Sequence, residues 1–141
     1  MSRNDHDRLQ RMQRLPVPAD TVWRQIGGFG AMADWHPWID RVEVVEIDGQ
    51  THRHLHMADG ELYLERLIEE GERYYTYALL ESGMPVDDHR ATLSCVPEEG
   101  GCHVFWSAYF IATDPAADDM MIGFYEAGLL ALDERFGGGT A

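Results

Sequence analysis

The sequence is poor in basic residues and in cysteine, and it contains no long hydrophobic run. Eleven Lys and Arg residues stand against 25 Asp and Glu, which gives a formal net charge of −14 at pH 7. A protein that binds nucleic acid or an anionic membrane would carry a basic patch, so this charge disfavours both partners. No apolar run approaches the ~20 residues of a membrane-spanning helix, and the N-terminal segment lacks the apolar stretch of a secretory signal.

The two cysteines, Cys95 and Cys102, are too few for a disulfide framework. We therefore expect free, packed thiols and a cytoplasmic location. Residues 28–33 fit the Gly-x-Gly-x-x-Gly/Ala pattern, but they follow a predicted helix and lie in no strand–helix–strand unit, so they do not predict dinucleotide binding. We expect no cofactor.

A chain of 141 residues corresponds to one domain and can bury a core without a disulfide or a metal. We assign residues 1–136 to this domain and the glycine-rich residues 137–141 to a disordered tail. Hydrophobic residues make up 45% of the chain, which excludes a disordered acidic protein.

Apolar periodicity and turn residues predict an α+β protein with an antiparallel sheet. The predicted strands are 9–15, 41–47, 51–57, 61–68, 73–80, 89–96 and 102–111, and two short helices, 21–26 and 29–35, follow the first strand. A long C-terminal helix begins at Asp114, the N-cap, with Pro115 at its first position, and runs to about Phe136. The sheet would curve around this helix, and one helix leaves space for an internal cavity on the concave face.

Five short strings follow one another along the chain: 16–23 (PVPADTVW), Phe29-Gly30 before Trp35-His36-Pro37, 65–67 (ERL), 106–108 (WSA) and 128–132 (GLLAL). Their order and spacing resemble the START-like helix-grip superfamily, in particular its bacterial polyketide cyclase/dehydrase-like branch. The resemblance covers residues 9–136. It implies a curved antiparallel sheet of six to seven strands that grips a long C-terminal helix over a hydrophobic ligand cavity, an architecture similar to that of pollen allergens and abscisic-acid receptors.

Arg53 and Glu65 are predicted to form a cross-strand pair. If Met57 and Glu61 flank the Ala58-Asp59-Gly60 loop, Leu55 lies opposite Tyr63 and Arg53 lies opposite Glu65. The pair then points into the grip, where Glu65 serves as a catalytic or anchoring carboxylate and Arg53 keeps it ionised. The alternative is an ion pair that only fixes the strand register.

His89, Ser107 and Tyr109 form a second candidate group. A loop over residues 97–101 would pair Cys95 with His103, Ala91 with Ser107 and His89 with Tyr109. His89 could then act as an acid or base near neutral pH, with Ser107 and Tyr109 donating to a ligand carbonyl. A histidine near solvent at a strand end is the alternative.

The same register exposes Trp106 and Phe110 on the convex face, from which we predict a homodimer. His52, His54 and His56 alternate along one strand and would lie on that convex face as well. Three ligands in a line do not complete a tetrahedral site, so we expect no metal.

His36 is the third catalytic candidate, because in the similar receptors the matching position gives a cationic contact to a ligand carboxylate. A histidine there would make that contact depend on pH, and a loop histidine that only packs is the alternative. Tyr63, Tyr75 and Tyr77 share the face of Glu65, and such rings are typical of a lined pocket. Further ligand-binding candidates are Leu55, Met84 in a gating loop, and Met120, Phe124, Tyr125 and Gly128 of the last helix, where Gly128 would leave space.

These residues predict a protein that binds a small hydrophobic, oxygenated molecule. As an enzyme it would be a cyclase or dehydratase acting on a ketone-bearing substrate; whether it is an enzyme stays open. A non-catalytic lipid carrier or ligand sensor is the first alternative, and an acidic protein-interaction module is the second. A cavity filled by side chains would favour the interaction module.

Overall fold

The structure is a computed structural model that describes residues 6–137. Seven strands and two α-helices make up most of this range. The strands are β1 (Asp7–Leu15), β2 (Ile39–Ile47), β3 (Gln50–Met57), β4 (Leu62–Gly71), β5 (Tyr74–Glu81), β6 (Val86–Glu98) and β7 (Gly101–Ala112). The helices are α1 (Ala19–Ile26) and α2 (Ala117–Leu132), with a 3₁₀ turn at Met32–Asp34 and a π-helical turn at Asp133–Gly137.

The strands form one antiparallel sheet in the order β1-β7-β6-β5-β4-β3-β2. Burial alternates along the strands, as expected for a sheet that covers a core on one face. In β7 the buried residues are Cys102, Val104, Trp106, Ala108 and Phe110. Register shifts in the β2–β3, β4–β5 and β6–β7 pairings mark β-bulges, which increase the bend of the sheet. The curved sheet with its long C-terminal helix matches the predicted α+β architecture.

The predicted hairpin between β3 and β4 is confirmed. Arg53 lies opposite Glu65 and Leu55 opposite Tyr63. Gly60 takes a φ of 94°, the left-handed conformation that the loop needs and that glycine adopts without strain. Arg53, Leu55, Tyr63 and Glu65 are all buried on the concave face.

The predicted register between β6 and β7 is wrong by one residue. Cys95 lies opposite Val104, Ala91 opposite Ala108, and Arg90 opposite Tyr109. The cause is a two-residue turn at Glu99-Gly100, with Gly100 at a φ of 82°, in place of the predicted five-residue loop. Because side chains alternate between faces, a one-residue slip moves every side chain of β7 to the other face.

This slip overturns the convex placement of Trp106 and Phe110. Both are fully buried on the concave face, so the argument for a homodimer from their exposure is lost. The side chains of Ser107 and Tyr109 lie on the convex face instead, where Tyr109 packs against His6 and Arg8 of the neighbouring strand.

The helices form where predicted, with shifted ends. Helix α2 begins at Ala117, not at Asp114, because Pro115 and Ala116 form a turn in which Asp114 accepts the Ala116 N–H at 2.8 Å. Helix α1 begins at Ala19, after Pro18, two residues before the predicted start at residue 21. The second predicted short helix, 29–35, is reduced to the 3₁₀ turn.

The buried stripe of α2, which includes Met121, Phe124, Tyr125, Leu129 and Leu132, packs against the concave face of the sheet and completes the core. Of the predicted tail, residues 138–141 lie outside the described residues, and Gly137 ends the π-helical turn. In residues 6–137 no helix is both long and apolar enough to cross a membrane.

Candidate functional site

Arg53 and Glu65 form a buried ion pair in the middle of the concave face. The Arg53 side chain is fully buried and that of Glu65 is 5% exposed. Arg53 donates from Nε to Glu65 Oε1 at 2.8 Å, and its Nη2 lies 2.7 Å from the same oxygen. No described residue donates a hydrogen bond to Oε2. The carboxylate therefore keeps one acceptor oxygen for another partner.

The Arg53 guanidinium is held in place by further contacts. Its Nη1 donates to the Phe29 carbonyl at 2.9 Å and to the Tyr75 hydroxyl at 3.2 Å. Its Cζ also lies 4.1 Å from the ring centre of Phe29 and 4.9 Å from that of Tyr77, within cation–π range. Burial raises the pKa of Glu65, and the Arg53 guanidinium opposes that shift. The predicted stabilisation of the ionised form by Arg53 is thus counteracted by burial.

A small inner cavity lies between this pair and α2. It measures about 10 Å³, the space of roughly one water molecule. Its lining comprises Tyr63, Glu65, Tyr77, Leu79, Met84, His89, Met121, Phe124 and Tyr125. Six of the residues predicted to form the site, Glu65, His89, Tyr63, Tyr77, Phe124 and Tyr125, are brought together here, along with Met84 of the predicted gating loop.

Tyr125 is the polar residue of α2 at this cavity. Its hydroxyl is buried and has no hydrogen-bond partner among the described residues. Burial raises the pKa of Tyr125, and the neighbouring Tyr77 hydroxyl partly opposes that shift, so the Tyr125 hydroxyl stays protonated at neutral pH. The Tyr77 hydroxyl itself accepts the Trp106 Nε1–H at 3.0 Å. An unpartnered buried hydroxyl costs free energy, which a ligand oxygen in the cavity would recover.

His89 is turned into the cavity by a β-bulge. One extra residue of β6 lies between the pairs Asp87–Ile111 and Arg90–Tyr109, and Asp88 takes a φ of 48°. The His89 Nδ1 accepts the Leu79 backbone N–H at 3.2 Å. Burial lowers the pKa of His89 to about 4, so the ring is neutral at pH 7 and carries its proton on Nε2. In this state His89 is a hydrogen-bond donor, not the neutral-pH acid or base that the sequence predicts.

A larger outer cavity of about 500 Å³ lies next to the inner one. Tyr63 and Met84 line both cavities. Most of the outer lining is apolar, with Met120 of α2 41% exposed there. Met84, which is predicted to lie in a gating loop, therefore contacts both the outer and the inner cavity. The remaining lining residues are Trp38, Met57, Ala58, Asp59, Glu61, Gly83, Asp119 and Gly123.

His36 is held outside both cavities. Its Nε2 donates to the Phe124 carbonyl at 2.8 Å, and its Nδ1 accepts the Trp38 N–H at 3.1 Å. Burial lowers its pKa to about 4, and the neutral ring stacks on Phe124 with centroids 4.2 Å apart. Both ring nitrogens are occupied, so His36 fastens the 35–38 loop to α2 and has no free nitrogen for a ligand.

Gly128 was predicted to leave open space for a ligand, and this prediction is wrong. A Cβ atom there would lie 2.7 Å from His36 Cδ2, 2.9 Å from the Trp106 ring and 3.0 Å from the Trp35 ring. The space in front of this glycine is filled by aromatic rings. Leu55 is likewise buried in the core and lines neither cavity, and Ser107 and Tyr109 lie on the opposite face of the sheet.

The predicted histidine triplet has separate contacts. His56 pairs with Glu43 at 2.8 Å, and His52 is buried with its Nδ1 2.9 Å from the Gln50 carbonyl. Residues 6–137 contain no group of three His, Cys, Asp or Glu side chains placed to hold a metal ion.

The sequence analysis predicts Tyr63, Met84 and Met120 of the outer cavity but not its other lining residues. It assigns Asp59 to the hairpin loop and Glu61 to the strand that follows, although a hairpin loop at the mouth of a grip is one place to seek ligand contacts. Trp38, in the 3₁₀–β2 loop, is 42% exposed, and Asp119 lies in the first turn of α2. Nothing in the local pattern of these two residues distinguishes them from ordinary surface positions.

The curved sheet, the C-terminal helix on its concave face and the cavities between them define a helix-grip protein. The sequence profile of the family described as polyketide cyclase / dehydrase and lipid transport matches residues 7–137, and the chain belongs to this family. This confirms the resemblance to the START-like superfamily.

Solved structures agree with that assignment. An uncharacterised protein from Bacillus thuringiensis is 32% identical, with a TM-score of 0.86 over 92% of this chain and 98% of that one. The protein XoxI from Bacillus cereus is 29% identical, with a TM-score of 0.83 over 93% and 96%. The Zhui aromatase/cyclase from Streptomyces sp. R1128 is 19% identical and shares the fold, with a TM-score of 0.71 over 96% and 99%. A comparison with curated proteins finds no match.

Proposed function

We propose that this protein binds a small, mainly apolar molecule with one oxygen function, in the space between α2 and the concave face of the sheet. The apolar body would occupy the outer cavity, whose volume of about 500 Å³ is within the range of small-molecule pockets. The oxygen would enter the inner cavity. The buried Tyr125 hydroxyl without a partner carries this proposal, because it is a hydrogen-bonding group that the protein itself leaves unpaired.

The inner cavity offers both donors and an acceptor. The Tyr125 O–H and the His89 Nε2–H can donate to a ligand carbonyl, and Glu65 Oε2 can accept from a ligand hydroxyl. This set selects an alcohol or a ketone over a pure hydrocarbon, because a hydrocarbon would leave all of these groups unpaired.

Entry into the inner cavity requires Met84 and Tyr63 to move. The inner cavity has room for only one water molecule, and these two side chains line both it and the outer cavity. Met84 belongs to the short β5–β6 connection, in which the Ser82 hydroxyl accepts the Met84 N–H at 3.0 Å. A flexible methionine in a loop can change rotamer at low cost.

An enzymatic version of this function is supported by Glu65. A carboxyl in an apolar site with a raised pKa and one free oxygen has the properties of a general base. It would take a proton from the carbon next to a ligand ketone, while Tyr125 and His89 hold the carbonyl oxygen. Lipid carriage and ligand sensing use the same cavity without the proton transfer. The open outer cavity disfavours the alternative of an acidic module that only binds other proteins.

Binding of 2-decanone to the purified protein tests the proposal, with displacement of the neutral fluorescent probe Nile red as the readout. Tyr125→Phe removes only the unpaired hydroxyl and should weaken 2-decanone about fivefold to tenfold, the value of roughly one hydrogen bond. Tyr109→Phe removes a hydroxyl from the convex face and should leave the affinity unchanged.

The proposal fails if 2-decanone does not displace the probe, or if the two tyrosine variants behave alike. Native mass spectrometry of the protein purified from its own host gives the natural ligand. The enzymatic version predicts exchange of the α-hydrogens of bound 2-decanone with deuterium oxide, lost in Glu65→Gln. Binding without exchange would favour a carrier or a sensor.

A further inference from the structure

Two arginines flank a tyrosine on the convex face of the sheet. Arg8 of β1 lies opposite Tyr109 of β7, and Tyr109 lies opposite Arg90 of β6. Residues directly opposite each other share a face, and the Arg8 Cζ lies 5.4 Å from the ring centre of Tyr109. Both arginines line an open cleft of about 470 Å³, together with Ser107 and Thr92. None of the described residues that line this cleft is acidic.

A third arginine extends this row across the sheet. Arg66 of β4 lies opposite Ala78 of β5. The β5–β6 ladder ends at the pair Tyr77–Ala91, and Ala78 and Arg90 are the next residues on the two strands. Tyr77 and Ala91 are buried on the concave face, so the next residue on each strand points to the convex face. We call Arg8, Arg90 and Arg66 the arginine row.

The arginine row has no counter-charge among residues 6–137. None of its three side chains lies within 4 Å of a carboxylate there. Other arginines of the sheet, Arg11, Arg14 and Arg41, are each paired with a glutamate. In the row, Arg8 and Arg90 are exposed and Arg66 is half-buried. The row is therefore a positive surface on a protein with a net charge of −14.

The surroundings of the row are polar and mostly neutral. In the next cross-strand row, Ser107 lies opposite both Gln10 and Thr92. Their hydroxyl and amide groups can bond the backbone of a bound peptide. Asp88, at the bulge beside Arg90, is engaged by His6, whose Nε2 lies 2.8 Å from its carboxylate. The charge of the arginine row is thus left for a partner.

The spacing of the row determines the kind of partner. Two strand intervals separate Arg8 from Arg90, and two more separate Arg90 from Arg66. Hydrogen-bonded strands lie ~4.8 Å apart, so neighbouring arginines of the row are about 10 Å apart and the row is about 20 Å long. A single phosphate or carboxylate cannot bridge this length. An extended peptide advances about 3.3 Å per residue, so carboxylates at every third residue match the three arginines.

We propose that the arginine row binds an extended acidic segment of a partner protein, which crosses the convex face from β1 to β4. The net charge of −14 repels such a segment from the rest of the surface and thereby directs it to the row. The same net charge disfavours a second copy of this chain as the partner. The surface lies on the side of the sheet opposite the cavities, so this interaction is separate from the proposed ligand binding.

Two ten-residue peptides of identical composition test the spacing. Both consist of glycine, serine and three glutamates; in one peptide every third residue is a glutamate, and in the other the three glutamates are adjacent. Each is titrated into the ¹⁵N-labelled full chain at pH 6.5 and 50 mM NaCl, with backbone amide shifts as the readout. We expect the spaced peptide to bind at least threefold more tightly and to shift residues of β1, β7 and β6. In 0.5 M NaCl this binding should be lost, because the arginines are open to screening.

A pair of double variants locates the interaction. Arg8→Gln with Arg90→Gln removes two charges of the row and should weaken the spaced peptide about fivefold to tenfold. Arg24→Gln with Arg135→Gln removes the same charge from exposed arginines of α1 and the π-helical turn, and should leave the affinity within twofold. Displacement of Nile red by 2-decanone should be the same in both variants, because the cavities lie on the other face.

The proposal is overturned if the spaced peptide does not bind at millimolar concentration, or if both peptides bind equally well. Equal weakening in the two double variants would also overturn it, because the effect would then come from net charge. A single-stranded DNA of six thymidines is titrated in parallel. Tighter binding of this DNA than of the spaced peptide would assign the surface to nucleic acid instead of an acidic protein segment.

Discussion

Both Arg53 Nε and Arg53 Nη2 contact one oxygen of Glu65, Oε1, and no described residue donates to the other oxygen, Oε2. A parallel pairing, in which each nitrogen takes its own oxygen, would use up the carboxylate. The one-sided arrangement keeps the pair together and leaves half of the carboxylate free for a ligand. The same residue pair thereby serves the strand register and the proposed site.

Removing one member of this pair should be costly. Glu65→Gln leaves the fully buried Arg53 guanidinium without its counter-charge, and loss of one partner of a buried pair destabilises by about 3–5 kcal/mol. Urea unfolding at pH 7 measures the loss. Glu65→Leu combined with Arg53→Met removes both charges and should recover most of the stability. It should also abolish the proposed preference of the site for an alcohol over a hydrocarbon. A double variant as unstable as Glu65→Gln would show that the pair is itself a net source of stability.

Gly128→Ala should destabilise the protein, although alanine normally favours a helix. The added methyl would lie 2.7 Å from His36 Cδ2 and close to the Trp106 ring, and overpacking of this kind costs about 1–3 kcal/mol. Thermal or urea unfolding measures the change.

Gly123→Ala is the matched control on the same helix. Its Cβ would lie 3.7 Å from Trp38, an ordinary contact, so the variant should gain about 0.5–1 kcal/mol from helix propensity. If both variants change stability in the same direction, the close approach of His36 to Gly128 is not what requires the glycine.

The β3–β4 hairpin could be predicted from the sequence because two signals agreed. A short loop ending in Gly60 fixed the turn, and the requirement that Leu55 and Tyr63 share a buried face fixed the register. Once this register is known, the Arg53–Glu65 pair follows directly. The half of the site that depends on this hairpin was therefore accessible from local patterns.

The β6–β7 hairpin offered no such agreement. Both faces of β7 carry apolar residues, so periodicity does not determine which face is buried. Moreover, a bulge at Asp88 restores His89 to the interior in spite of the slip. The prediction that Gly128 leaves open space is wrong for a related reason. Rings from the 35–38 loop and from β7 fill the space beside this glycine, and no local sequence pattern encodes such a tertiary contact.

The two thiols should be unreactive in the folded protein. Burial, aided by the neighbouring Cys102, raises the pKa of Cys95 to about 12, and burial also raises that of Cys102. Because the thiolate is the nucleophile, neither should react with Ellman's reagent at pH 8 in native buffer, whereas both should react at once in 8 M urea. Fast reaction of one thiol in the native protein would contradict the burial of this end of the core.

Stability should fall as the pH drops from about 6.5 towards 4. Burial holds the pKa of both His36 and His89 at about 4 in the folded protein, while an unfolded histidine titrates near ~6.5. Between these values the unfolded chain binds more protons than the folded one, so stability rises with pH across this window and is lost on acidification. The full loss amounts to roughly 3 kcal/mol per histidine.

Urea unfolding at pH 7.0 and pH 4.5 measures this loss, and His89→Gln isolates one contribution. The variant keeps a polar side chain but cannot take up the proton, so its loss between the two pH values should be smaller than that of the parent by about 2–3 kcal/mol. An NMR titration of the imidazole signals checks the cause directly. If the His89 ring in the folded protein titrates near its ordinary value, the neutral, donor-only role of His89 in the inner cavity is wrong, and His89 again becomes a candidate general base.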